Sequence, residues 1–265
     1  MIMSNTEIKQ KEKEQSSLKK KYRKMSPISL MHYVKLGVRS LFLIAVAVVY
    51  GIGLARGGEL IPSFTTVNVL LGVIWGIYAV EMVARFFPSR LESSGRQKVF
   101  KRSFLPTGEE QPRLMPWKRT LTVVAVWVAL NGVMGGLYLF GVIDKGALVL
   151  VSLAYGICDM ICILFFCPFQ TWFMKNRCCA DCRIYNWDFA MMFTPLVFIP
   201  NVFTLTMLAL SLALLLRWEI TYKLHPERFA TNTNGCISCS ECKEKLCHHK
   251  KQLHTYWRRQ SKKNK

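Results

Sequence analysis

The stretch TLTVVAVWVALNGVMGGLYLFGVIDKGALVLVSLAYGICDMICILFF, residues 120–166, consists of two apolar blocks joined by the short polar sequence DKG. Each block has about 20 residues, the length that an α-helix needs to cross a hydrocarbon layer about 30 Å thick. Because the connection is so short, the stretch predicts a hairpin of two transmembrane helices.

Similar apolar blocks occur on both sides of this hairpin. Residues 31–87 contain two blocks joined by RGGEL, and residues 189–216 form a fifth block. Buried helices of a large soluble protein have the same composition, but so many blocks in one short chain favour a membrane protein. We therefore predict an all-α fold, a polytopic membrane helix bundle with about five hydrophobic segments.

The segments between the blocks are polar and basic, in line with a formal net charge of +20. Residues 1–30 predict a disordered basic N-terminal tail, and residues 88–119 a basic linker. Because basic loops remain on the cytoplasmic side, we expect both in the cytoplasm, in a multi-pass protein of the cell membrane. Residues 167–188 then form a Cys-rich loop on the same side, and residues 217–265 a basic, Cys-rich tail.

The side on which the C-terminal tail lies depends on the fifth segment. A full crossing would place twelve Lys and Arg residues outside, against the positive-inside rule. Pro195, Pro200 and Asn201 interrupt the apolar run, so a broken, re-entrant helix is the alternative to a full span. We favour the re-entrant form and a cytoplasmic C-terminus.

A few charged residues lie inside or beside the first two segments. Lys35 and Arg39 are expected to extend to the membrane interface, and His32 to be solvated at a helix end. Glu81 and Arg85 are four residues apart, a spacing that suits an ion pair at the membrane edge.

All ten cysteines lie beyond residue 157, in three groups. The run CISCSECKEKLCHH, residues 236–249, resembles the C-x2-C-x2-C pattern of bacterial ferredoxins. Zinc sites of four cysteines, or of three cysteines and one histidine, have similar spacings. The run predicts a metal centre, with a [4Fe–4S] cluster favoured over zinc; its candidate ligands are Cys236, Cys239, Cys242 and Cys247, with His248 as a further candidate.

The second group lies in the loop FFCPFQTWFMKNRCCADCRIYNWD, residues 165–188. Cys167, Cys178, Cys179 and Cys182 are predicted to ligate a second centre of the same kind. The spacing of Cys179 and Cys182 is also typical of thiol–disulfide exchange sites.

The third group lies inside the preceding apolar block. Cys158 and Cys162 are four residues apart and share one helix face, beside Asp159. They are either small core residues or further ligands. Asp159 is a further candidate, because an intramembrane carboxylate is costly and is usually paired or functional.

The Cys167-Pro168 end of an apolar block, together with the ferredoxin-like run, resembles membrane polyferredoxin-type electron-transfer proteins. Those proteins have a C-x3-C-P motif, whereas Cys162 and Cys167 are spaced as C-x4-C-P. The resemblance implies a membrane protein that passes electrons between quinol and soluble partners through iron–sulfur centres.

Together these patterns predict an integral membrane protein that relays electrons through Cys-ligated iron–sulfur centres at the cytoplasmic face. Such a protein can be a redox subunit of an oxidoreductase complex, and whether it is an enzyme stays open. One alternative is a zinc-stapled transporter or assembly subunit. The other is a membrane thiol–disulfide or soft-metal handling protein that uses Cys158, Cys162 and the loop thiols.

The expected partners follow from the charge and from the redox function. The basic segments suit a bilayer with anionic lipids, and electron transfer requires a quinone or a redox partner protein. No nucleic acid is expected, because basic runs in a membrane protein usually set its orientation.

Overall fold

The computed structural model describes residues 27–55, 64–87, 94–176 and 179–237. Most of the predicted N-terminal tail and most of the Cys-rich tail lie outside these ranges. So do five candidate ligands, Cys178, Cys239, Cys242, Cys247 and His248.

Within these ranges the chain is helical. The α-helices are α1 (Pro27–Ala55), α2 (Phe64–Ala84), α3 (Ser94–Val99), α4 (Trp117–Leu139), α5 (Lys145–Leu164), α6 (Asp188–Phe193) and α7 (Val202–Leu224). A π-helix, Phe169–Met174, and several short 3₁₀-helices connect them. The described part of the chain contains no β-strand, only an isolated bridge between Pro106 and Asn234.

Four of these helices, α1, α4, α5 and α7, are long and apolar enough to cross a membrane. A helix of 20 residues spans about 30 Å. Large apolar side chains are exposed along them, including Leu41 at 66% and Leu139 at 77%, as expected of surfaces that face lipid tails. The prediction of an all-helical membrane protein is confirmed at this level.

The predicted hairpin at residues 120–166 is formed by α4 and α5. Gly141 has a φ of +73° in the turn between them, a conformation that glycine adopts at little cost. The Asp144 carboxylate accepts a hydrogen bond from the Ala147 amide at 2.9 Å and so caps the first turn of α5.

The fifth apolar segment is broken into two helical pieces. The first comprises α6 and the 3₁₀-helix Thr194–Phe198, and the second is α7. Between them lies Pro200, which has no amide hydrogen to continue a helix. The Asn201 side chain then caps α7 by accepting a hydrogen bond from the Phe203 amide at 2.9 Å.

Both pieces contact the same end of α2. Asp188, at the start of α6, lies 2.5 Å from the Arg85 guanidinium. Arg217, in the second half of α7, donates a hydrogen bond to the Arg85 carbonyl at 3.2 Å. The segment therefore folds back on itself, as Pro195, Pro200 and Asn201 suggested. The chain leaves α7 at the end of the bundle that carries the Cys-rich loop; the side of the membrane stays a prediction.

The main core lies between α2, α5, α6 and α7. Tyr78 is 2% exposed and packs edge-on against the ring of Phe193, with centroids 5.5 Å apart. Met82 and Leu214 are also fully buried. This packing places the start of α6 against α5, next to the cysteines.

Candidate functional site

A cavity of about 110 Å³ lies where α5, α6 and the Cys-rich loop meet. Its volume is enough for several water molecules or a small bound group. Apolar and aromatic side chains such as Trp127, Tyr155 and Met191 form part of the wall. The remaining wall includes five of the ten cysteines, namely Cys158, Cys162, Cys167, Cys179 and Cys182.

The end of α5 brings the first three of these cysteines together. Cys158 and Cys162 are one turn apart on α5, which ends at Leu164. The chain then turns at Pro168 into the π-helix, and the Cys167 sulfur accepts a hydrogen bond from the Gln170 amide at 3.4 Å. In this position the Cys162 and Cys167 side chains hydrogen-bond each other.

Cys179 and Cys182, the C-x-x-C pair of the loop, also line the cavity, from a 3₁₀ turn. The Cys182 amide donates to the Cys179 carbonyl at 3.1 Å, which closes a 3₁₀ turn. The Cys179 thiol donates to the Gln170 side-chain oxygen at 3.3 Å, so the same glutamine contacts both Cys167 and Cys179. Burial, assisted by the nearby Cys179 and Cys167, raises the pKa of the Cys182 thiol to about 12.

Two carboxylates, Asp159 and Asp188, also line the cavity. One oxygen of Asp188 lies 2.5 Å from Arg85 and 2.8 Å from Arg96. Its other oxygen is buried and has no hydrogen-bond partner among the residues that the structure describes. A buried carboxylate needs a compensating donor or cation, and here the guanidinium groups of Arg85 and Arg96 supply it through the first oxygen.

A buried network of charges supports these carboxylates. Arg39 contacts Asp159 at 3.3 Å and Glu81 at 3.2 Å. Glu81 in turn contacts Lys35 at 2.7 Å and Arg85 at 3.5 Å. The network joins α1, α2, α3, α5 and α6 at one end of the bundle and fixes the cavity wall that carries the aspartates.

Three expectations about these charges have different outcomes. The predicted Glu81–Arg85 pair is confirmed. The prediction that Arg39 extends to the interface is wrong, because Arg39 is 3% exposed and bound to carboxylates. The prediction that His32 is solvated is also wrong, since it is 4% exposed. No prediction was made for Arg96, whose only signal was its place in a basic linker.

The structure brings together part of the predicted ligand set. Cys167, Cys179 and Cys182 of the loop group share the cavity with Cys158, Cys162 and Asp159. Cys236 lies in the 3₁₀-helix Gly235–Ile237 and does not line the cavity. Where the chain is described, the cysteines are thiols, and no group of three or more His, Cys, Asp or Glu side chains is arranged to hold a metal ion. The iron–sulfur and zinc centres stay predictions.

Comparison with known proteins finds no matching family model, no similar curated protein and no similar solved structure. The arguments for function therefore rest on the chemistry of the cavity.

Proposed function

We propose that this membrane protein transfers electrons by thiol–disulfide exchange among the cysteines of its cavity. The observation that carries the proposal is the contact between the Cys162 and Cys167 thiols. A disulfide needs its two sulfurs at about 2.05 Å, so oxidation requires the two hydrogen-bonded thiols to move together. This proposal keeps the predicted electron transfer and adopts the thiol–disulfide alternative as its chemistry.

The two cysteine pairs suit successive exchange steps. The electron donor is an incoming dithiol. One of its thiolates attacks a Cys179–Cys182 disulfide and its second thiolate then resolves the mixed disulfide, so the donor leaves as a disulfide and Cys179 and Cys182 become thiols. By the same two steps these thiols, which border the same cavity as Cys162 and Cys167, reduce a Cys162–Cys167 disulfide.

A second cavity has a size and a lining that suit a lipid-soluble electron acceptor. It measures about 450 Å³ and is lined largely by apolar and aromatic residues, among them Trp75, Tyr78 and Phe193. The Tyr78 hydroxyl is buried and lacks a hydrogen-bond partner in the described structure. A quinone carbonyl would accept that hydrogen bond, and reduction of one quinone to a quinol takes up the two electrons and two protons that a dithiol releases.

The two cavities approach each other at Gly156. A Cβ atom at this position would lie 2.7 Å from the Met192 sulfur and 3.1 Å from the Tyr78 hydroxyl oxygen. Met192 lines the cysteine cavity and Tyr78 lines the apolar one. The closeness of these two lining side chains would allow a quinone in the apolar cavity to take electrons from the cysteines.

An iron–sulfur centre is the second candidate, because Cys162, Cys167, Cys179 and Cys182 line one cavity, although the described side chains are not arranged to hold a metal ion. Thiolate sulfur is the usual ligand of such clusters, and metal binding would release the thiol protons. When bound, the centre would supply one-electron transfer. The run from Cys236 to Cys247 remains the other predicted centre, with [4Fe–4S] or zinc.

One experiment separates these possibilities. Protein purified without oxygen is analysed for iron and zinc, then treated with a short-chain quinone, alkylated and digested for mass spectrometry. We expect a Cys162–Cys167 disulfide that a dithiol reverses, and its loss in Cys162→Ser and Cys167→Ser. Cys236→Ser, outside the cavity, is the matched control and should keep the disulfide.

Other results of this experiment would favour the iron–sulfur or the zinc candidate. Iron that is bound in the parent and lost in Cys167→Ser would favour the iron–sulfur centre. Zinc without visible absorbance and without a disulfide would favour the zinc-stapled alternative. Failure of the Cys162–Cys167 disulfide to form with any oxidant would overturn thiol–disulfide exchange.

A further inference from the structure

A basic cavity lies beside the C-terminal half of α7, and no cysteine of the described ranges lines it. It measures about 620 Å³. Four of its eight lining residues are cationic, Lys101, Arg102, Arg217 and Arg228, and none is a carboxylate. Glu227 approaches one of them, with an oxygen 3.9 Å from the Arg228 side chain. Such an excess of positive charge in one concave site favours an anion.

Packing holds two of the four cations in place. Arg217 donates to the carbonyl oxygens of Arg85 and Phe86, and its guanidinium lies 5.6 Å from the centre of the Phe86 ring. Both of these hydrogen bonds use the same terminal nitrogen, whereas a guanidinium has five N–H donors. Arg102 lies over the Phe100 ring at 5.5 Å. Arg217 therefore keeps donor capacity for an anion without needing to move.

Trp218 gives an independent indication of a ligand. It lines the cavity and is 7% exposed, and it stacks on Phe100 with ring centroids 6.0 Å apart. Its buried indole nitrogen has no hydrogen-bond acceptor among the described residues. An unsatisfied buried donor is unfavourable, and an oxygen atom of a bound anion would satisfy it.

The surroundings of the cavity indicate the source of the anion. Leu216 and Ile220 flank Arg217 and Thr221 on α7 and are 59% and 55% exposed, on a helix that is apolar enough to cross a membrane. Tryptophan and basic side chains at the end of such a helix are typical of the lipid headgroup region.

We propose that this cavity binds a phosphate-bearing anion, the headgroup of an anionic phospholipid. The four cations hold the phosphate, the Trp218 indole donates to one of its oxygens, and the acyl chains lie against Leu216 and Ile220. This inference is independent of the cysteine chemistry. It assigns the expected contact with anionic lipids to a defined site.

Lipid binding to the purified full-length protein tests the proposal. Phosphatidylglycerol or phosphatidylcholine is added in detergent, and bound lipid is counted by native mass spectrometry. We expect one tightly held phosphatidylglycerol and no comparable phosphatidylcholine. The double variant Lys101→Gln/Arg102→Gln should bind about 30-fold more weakly, the loss expected for two basic side chains near an anionic headgroup. Arg113→Gln/Lys118→Gln changes the charge equally outside the cavity and should bind normally.

Two further arms identify the contact and the source. Trp218→Phe removes the N–H and part of the buried ring, so it should lower the unfolding temperature of lipid-free protein somewhat and, in addition, reduce the rise in unfolding temperature that phosphatidylglycerol produces. Inorganic phosphate alone is the second probe. If phosphate raises the unfolding temperature and phosphatidylglycerol raises it no further, the ligand is free phosphate and not a lipid headgroup. Equal binding of the two lipids, or equal losses in the cavity and control variants, would overturn the proposal.

Discussion

Arg39 of α1 and Asp159 of α5 lie 3.3 Å apart, although 120 residues separate them in the chain. The same guanidinium donates to the Gly156 carbonyl at 2.8 Å and contacts Glu81 of α2 at 3.2 Å. One buried cation thus joins three helices directly behind the cavity wall that carries Asp159.

Replacing Arg39 by methionine should therefore destabilise the protein strongly. Removing one partner of a buried ion pair leaves uncompensated charge and typically costs about 3–5 kcal/mol. Chemical unfolding in detergent measures the loss. Lys35→Met is the matched control, since Lys35 contacts Glu81 but its side chain is 30% exposed, and its loss should cost about 1 kcal/mol. Equal losses for the two variants would contradict a buried role for Arg39.

The contrast between Arg39 and the fifth segment shows what local sequence can predict. The break in the fifth segment was predictable because Pro200 and Asn201 act on their own backbone and its neighbours. Arg39 has two local options, to extend to the interface or to pair inside the bundle. The choice depends on a carboxylate 120 residues away, which no local pattern contains.

The cysteine site was predictable to the same limited degree. The C-x-x-C spacing singled out Cys179 and Cys182 as a pair, and the structure holds the two in one 3₁₀ turn. The contact of Cys162 with Cys167 depends instead on the turn at Pro168 and on Gln170, which also binds Cys179. These contacts arise from the tertiary fold, so spacing alone gave only a list of candidates.

Gly135 and Gly136 of α4 provide a test of close packing against the 3₁₀-helix Thr194–Phe198, in the first piece of the broken fifth segment. A Cβ atom at Gly135 would lie 2.7 Å from Cε2 of Phe198, whereas one at Gly136 would meet nothing within 4 Å. Gly135→Ala should therefore lower the free energy of unfolding by about 1–3 kcal/mol through overpacking. Gly136→Ala should raise it by up to about 1 kcal/mol, because alanine is the better helix former. If both substitutions change the free energy of unfolding in the same direction, the close contact between Gly135 and Phe198 is contradicted.

Asn234 ties the linker to the segment that follows α7. Its amide nitrogen donates to the Lys98 and Arg228 carbonyls at 3.1 and 2.8 Å, and its oxygen accepts from the Cys236 amide at 3.1 Å. Asn234 is fully buried, so Asn234→Ala should cost about 2 kcal/mol through unsatisfied groups. The variant should also be cut faster by protease within residues 104–116.

Asn232→Ala is the matched control for this link. Asn232 also bonds to the linker, with its amide nitrogen 2.8 Å from the Gln111 carbonyl, but this bond is exposed to solvent. Water can replace its hydrogen bonds, so the control should lose less stability than Asn234→Ala. The reverse order would show that the link does not depend on burial.

Asp181 makes stability depend on pH below neutrality. Burial raises the pKa of its carboxyl from 3.8 to about 6, so the folded protein holds this proton more tightly than the unfolded chain. The contribution to stability is complete below pH 3.8 and is lost as the pH rises through 6. The stability advantage of Asp181→Asn over the parent should therefore grow between pH 4 and pH 7. A difference that does not change with pH would contradict the raised pKa.

Cys182 should be almost unreactive at neutral pH. Burial, with the neighbouring Cys179 and Cys167, raises its pKa from 9.0 to about 12. Because the thiolate is the nucleophile, roughly one Cys182 in 10,000 is reactive at pH 8, against about one in four for an ordinary thiol of pKa 8.5. Alkylation of Cys182 by iodoacetamide, followed by mass spectrometry, should therefore be slow at pH 8 and rise steeply towards pH 11.

The denatured protein is the internal control for this rate, since its Cys182 should react as an ordinary thiol. Cys179→Ser removes one cause of the raised pKa and should accelerate alkylation of folded Cys182 at pH 8.

The raised pKa of Cys182 also makes stability depend on pH. The stability contribution of Cys182 is complete below pH 9 and is lost as the pH rises through 12. In thiol–disulfide exchange a protonated Cys182 suits the second, resolving step, with Cys179 as the attacking thiol of the pair. If folded Cys182 is alkylated at pH 8 as fast as in the denatured chain, that order of attack is wrong.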